Sequence, residues 1–292
     1  MKDLVDTVGL RTVLTGRGIR EEENIELLYS NLSADPAIAN LIDEIEQRIR
    51  TYFSSLVLPA TPTLYDYLIL GLRQKDLIAT FNWDPLLFQA LRRSEKATTH
   101  LPGIVFLHGC VAVGVCHEHK YVAGSGQRCK RCHRPLEPVR LLYPVAKKDY
   151  NQNPLIRDDW ATLGAALEEA YYLTFVGYSF PTADAAAKKM LQEAWTPNRV
   201  RNRAEIDVVD ISPSDDLLRE IQRFRTQAHG VVVGCPQETE PFINPRRSCE
   251  ALWKRTIELS FDDGRPFPMF TALEDLHSWV KGLVAEEPDK EE

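Results

Sequence analysis

Cysteine and histidine are scarce in most of this chain. Of 292 residues, six are cysteine, seven are histidine and three are methionine. No run of eighteen apolar residues occurs, which excludes an apolar membrane-spanning helix. No apolar signal core follows the amino terminus, MKDLVDTVGLRTVLTGRG, where charges are scattered, so export is not expected and a cytoplasmic location is. A basic excess is also lacking. Thirty-five Lys and Arg against 42 Asp and Glu leave a formal charge of -7, which makes general nucleic-acid binding unlikely, because a phosphate-tracking protein needs a basic surface. In a reducing compartment disulfides are not expected, and clustered cysteines read as metal ligands or reactive thiols. There is no internal repeat.

What remains is an ordinary globular composition, 44% hydrophobic and 26% charged, long enough for one large domain or two small ones. Within it, FLHGCVAVGVCHEHKYVAGSGQRCKRCHRP, residues 106–135, holds Cys110, Cys116, Cys129 and Cys132 and also His108, His117, His119 and His133. Cys116 and His119 have C-x2-H spacing, and Cys129 and Cys132 have C-x2-C spacing. Two such knuckles supply the four donors of a closed, structural zinc site. His117 could stand in for His119, and His133 or Cys110 is a more distant substitute. A segment with so few large apolar side chains would owe its folding to the metal.

Periodicity sets the frame. Helical spacing of apolar residues marks 24–32 and 37–56, and a helix is expected over 61–73, capped by Thr61 with Pro62 at its first position. Short runs rich in Val, Ile, Phe and Thr then occur at 77–81, 104–108, 172–177, 206–211 and 230–234. Helical patterns at 85–93, 159–171, 183–195 and 214–224 separate most of them, and two more follow at 245–259 and 271–284. Buried strands alternating with helices specify an α/β fold: a Rossmann-like, mainly parallel sheet with helices on both faces and a small inserted zinc ribbon. The expected organisation is a dinucleotide-type body in two segments, 1–109 and 141–235, with the ribbon at 110–140. A C-terminal helical extension, 236–292, ends in an acidic tail, AEEPDKEE, expected to be disordered.

In such a sheet the ligand crevice lies beyond the carboxyl ends of the strands. Those ends read FNWD (81–84), HGC (108–110), GYSFPTAD (177–184) and DISPSD (210–215). In this order TFNWD, LHG, the paired cysteine knuckles, FVGYSF and VVDIS resemble the sirtuin superfamily, and more closely its bacterial sirtuin-like branch, from about residue 62 to about residue 235. The resemblance implies NAD as substrate and zinc as a structural cofactor. His108 would be the general base and Asn82 would orient the attacking group. Asp84 would hold the nicotinamide carboxamide, Gly177 and Ser179 would approach the ribose-phosphate, and Asp210 the adenosine ribose. Read without the family, Asn82 and Asp84 simply cap the helix that begins at Pro85.

The family's glycine-rich phosphate turn has one counterpart here, VLTGRG (13–18), with Gly16 and Gly18 after a short expected strand. It departs from the pattern in Arg17, and the three glutamates at 21–23 would compete with phosphate for the same amides. The resemblance implies an NAD glycohydrolase of the kind that serves as an antiviral effector. The alternatives are an NAD-dependent protein-lysine deacylase and a catalytically silent binding scaffold. A homo-oligomer or a fused partner is compatible with each.

Overall fold

In a computed structural model the described residues are 7–16, 39–143, 150, 153–181, 184–195, 204–225, 229–260 and 264–287. The helix expected over 24–32, Gly18, and the last residues of the acidic tail lie outside them.

Two parallel sheets form the body. β1 (Leu77–Thr80) pairs with β2 (Gly103–Phe106), and β6 (Tyr172–Val176), β7 (Glu205–Val209) and β8 (His229–Val233) form a second sheet in that order. Between them in sequence, β4 (Tyr121–Gly124), β3 (Val113–Cys116) and β5 (Glu137–Pro138) make a small antiparallel sheet. The expectation of parallel strands between helices holds, with the strands divided between two ladders rather than joined in one.

Period-two alternation explains how the strands are covered. Leu173 and Phe175 of β6 stand beside Ile206 and Val208 of β7. All four face one core, which also takes Trp160, Leu163 and Leu167 from α5 (Pro154–Glu169), Leu191 from α6 (Ala185–Ala194) and Leu217, Ile221 and Phe224 from α7 (Asp215–Arg225). The alternate residues include Tyr172 and Asp207, where the tyrosine hydroxyl donates to the carboxylate at 2.5 Å. β1 and β2 are covered on both sides: Val105 reaches the α5 core, while Ile78 and Ile104 pack with α3 (Leu64–Gly71) and α4 (Leu86–Ser94).

Three boundaries differ from the sequence reading. Helix α3 starts at Leu64, not after Thr61. Thr63 is its N-cap, and its amide donates to Asp66 at 2.6 Å, so the reciprocal box fixes the start better than the proline does. Helix α5 begins five residues before the expected start, capped by Asn153, whose side chain accepts from the Leu155 amide. The segment read as a short strand before Gly16 is a helix, α1 (Leu10–Gly16). Its Leu10 and Leu14, four apart, are both buried and pack with Leu41, Ile45 and Ile49 of α2 (Ala39–Ser54). That spacing puts the two side chains one above the other on a single helical face.

The C-terminal region supplies α8 (Glu240–Ile243), α9 (Ser248–Trp253) and α10 (Leu273–Ala285). The first residues of the acidic tail are held in place, against expectation. Arg246, 2% exposed, pairs with Glu287 and donates to the carbonyls of Leu72 and His100. Arg265 pairs with Glu286. A buried guanidinium needs such partners, and the tail provides one.

Candidate functional site

The metal cluster is built by two turns. Cys116 ends β3, and a tight turn with Lys120 at positive φ brings His119 back beside it. Cys129 and Cys132 flank a second turn, where the Arg131 amide points at the Cys129 sulfur (3.4 Å) and the His133 amide donates to the Cys129 carbonyl. Cys116 Sγ lies 3.5 Å from His119 Nδ1 and 3.7 Å from Cys132 Sγ, and Cys129 Sγ is 3.7 Å from His119 Nδ1. All four donor atoms fall within 4.8 Å of one another. A tetrahedral zinc with Zn–S near 2.3 Å separates sulfur pairs by roughly 3.8 Å and sulfur–nitrogen pairs by roughly 3.6 Å. The donors therefore already sit at the spacing zinc would impose. Desolvation opposes ionisation of Cys129, but the Cys132 and Arg131 amides outweigh it and hold the thiol down at about 6. The substitutes are otherwise engaged: His117 faces Glu137, His133 is exposed, and Cys110 is buried with its thiol on the Asp84 carbonyl, pushed up to about 12 by burial.

The second cluster gathers strand ends. Phe81, just past β1, lies 4.8 Å from the His108 ring and stacks on Tyr178 at 4.5 Å. His108, just past β2, is buried at 6% exposure, with Nε2 3.4 Å from the Tyr150 hydroxyl and 3.8 Å from Asp184. Tyr178 donates to the other Asp184 oxygen at 3.2 Å. The end of β6 thus meets the ends of β1 and β2 through Phe81, His108 and Tyr178. Gly177, exposed and at φ +60, has open space where a side chain would begin; its amide donates to the Val209 carbonyl, beside Asp210. Ser179 is exposed. Asp210 turns back on its own chain, accepting from the Ser212 amide at 2.7 Å.

Asn82 is exposed, and its backbone amide donates to the Thr80 hydroxyl at 3.0 Å. Asp84 accepts from the Leu86 amide at 2.9 Å, the capping role read from sequence alone, and burial raises its carboxyl. Burial, then the Asp84 charge, raises the Tyr65 phenol, so Tyr65 stays a proton donor between the two. Between Asn82 and Asp84, the buried indole N–H of Trp83 has no hydrogen-bond partner among the described residues. Tyr65, Tyr150, Tyr178 and Asp184 were not singled out from the sequence. The Asp184 position was visible only as the last residue of the GYSFPTAD strand end. Gly16 does not join this group. It closes α1 and lines a groove with Gly9, Thr12, Glu44 and Arg48.

Fold and site together define an α/β protein with parallel sheets, a polar cluster where their strands end, and an inserted Cys3His cluster of metal-site geometry. No family model matches the chain, and no curated protein matches it by sequence. Over most of its length it is similar to Sir2 homologues of known structure. A Sir2 homologue–NAD complex matches at 16% identity over 76% of this chain and 80% of that one, with a TM-score of 0.39. A Sir2 homologue–ADP-ribose complex matches at 14% identity over 92% and 87%, with a TM-score of 0.41. No described helix is long and apolar enough to cross a membrane.

Proposed function

We propose that the crevice at the ends of β1, β2 and β6 binds NAD and hydrolyses the bond between its nicotinamide and ribose. The observation that carries the proposal is the meeting of the Asn82-bearing loop with His108 and the Gly177 turn, joined by Phe81 and Tyr178. Exposed Gly177 leaves room for a ligand backbone to approach, and Asp210 stands on the neighbouring strand as an acceptor for ribose hydroxyls. In the reaction, water attacks the ribose C1' as the C1'–N bond breaks. The bond's electron pair goes to the nicotinamide ring, neutralising its pyridinium charge, and the proton leaves water for His108. Asn82 orients the water. The zinc cluster would carry no reaction step; Cys116, His119, Cys129 and Cys132 would hold the metal to fold the inserted sheet. Depletion of NAD by such an enzyme would suit an antiviral effector.

The silent-scaffold reading has one observation in its favour: Gly16 ends a helix, where the resemblance expects a strand before the phosphate turn. Incubation with NAD, with and without an acyl-lysine peptide, separates the readings. Hydrolysis predicts nicotinamide and ADP-ribose at the same rate in both. Release that needs the peptide would make the protein a deacylase, and no release would make it a scaffold.

A further inference from the structure

We infer that Asp184 is a positioning residue for His108, forming a buried carboxylate–imidazole dyad that fixes the ring's tautomer and strengthens it as a base. The inference deepens the proposed reaction, since it concerns the base that the reaction uses.

Asp184 occupies the N-cap position of α6. An aspartate there ordinarily spends its carboxylate on the free amides of the first helical turn. Asp184 makes no such side-chain bond. Its carboxylate, 5% exposed, turns instead toward the strand ends, with Oδ1 3.8 Å from His108 Nε2 and Oδ2 accepting from the Tyr178 hydroxyl at 3.2 Å. Forgoing a cap while burying a charge is costly unless another group compensates. Among the described residues, Tyr178 and the imidazole are two groups placed to do so.

Among the described residues, titratable neighbours reach the His108 cluster from three directions: Tyr150 ahead of α5, Tyr178 after β6, and Asp184 at the head of α6. Phe81 packs edge-on against the imidazole, and Trp160 packs behind Phe81 and Tyr150. Burial, and then the Asp184 charge, raises both phenols, so each tyrosine keeps its proton. Asp184 is therefore the one anionic partner among these contacts. The inferred dyad places the hydrogen of the neutral ring on Nε2, facing a carboxylate that can only accept, and leaves the lone pair on Nδ1. When Nδ1 takes a proton, the nearby carboxylate stabilises the imidazolium, as an aspartate does in a catalytic triad.

The test is a pH titration of nitrogen-15-labelled histidine by NMR, on wild type and Asp184→Asn, with NAD turnover measured alongside. In the wild type, the His108 nitrogen shifts should report the Nε2–H tautomer. In Asp184→Asn the His108 midpoint should fall by about one pH unit or more, equivalent to a tenfold loss of proton affinity. The acidic limb of kcat/KM should move down with it. An Nδ1–H tautomer in the wild type overturns the inference without needing any variant. So does an unchanged midpoint in a folded Asp184→Asn, even if turnover drops, since that would make Asp184 a structural residue. A shifted midpoint in proteins that leave NAD intact would sustain the dyad and refute the NAD reading.

Discussion

At the scale of single residues, the burial of His108 beside Phe81, Tyr150 and Asp184 is what separates it from an ordinary strand-end histidine. As a general base it should contribute on the order of 10²- to 10⁴-fold. His108→Ala and Asn82→Ala are each expected to lower kcat of NAD hydrolysis by at least that lower figure, with far-ultraviolet circular dichroism unchanged. Asp159 offers a test in stability. Its carboxylate accepts from the Phe106 amide at 2.8 Å, and burial pushes its carboxyl from 3.8 up to about 6. The folded chain thus binds this proton more tightly than the unfolded chain. The group's contribution is present below about 3.8 and is lost as pH rises through about 6. Asp159→Asn keeps an acceptor oxygen and removes the charge. It should be more stable than wild type at pH 7.5 and match it near pH 4, as read by urea unfolding.

At the scale of elements, the knuckle spacing told nearly everything about the metal cluster, because both pairs are local and each closes in a turn of known size. Its prediction is equally local. Cys129→Ala, or exhaustive chelation, should remove about one zinc per chain and unfold β3, β4 and β5, visible as new protease cuts within 113–138, since metal binding supplies their folding energy. Strand positions were legible from the runs of β-branched residues, while the edges of α3 and α5 were not, because Thr63–Asp66 and Asn153 compete with nearby residues of similar capping strength. The strand expected before Gly16 failed for a related reason. VLT is rich in β formers, yet this segment is helical, with Leu10 and Leu14 on successive turns packed against α2. The tyrosine–carboxylate surroundings of His108 could not be read at all, since Tyr150 is 42 residues away and no local pattern announces a pairing across that distance.

At the scale of the molecule, the segment after α10 is tied back to the middle of the chain. Arg246 links Glu287, after the last helix, to the carbonyls of Leu72 and His100 beside α3 and β2. Removing one partner of a buried ion pair costs roughly 3–5 kcal/mol, so truncation after residue 285 should lower stability by about that amount, measured by chemical unfolding. We propose that β1, β2, β6 and β7 end at one NAD crevice, although Gly16 follows a helix and not a strand. Calorimetric titration of NAD into the zinc-loaded His108→Ala protein, which should bind without consuming its ligand, tests it most directly. The account predicts saturable heat at one site per chain, weakened by a further Asp210→Ala. A folded, zinc-loaded protein that takes up no NAD would contradict it.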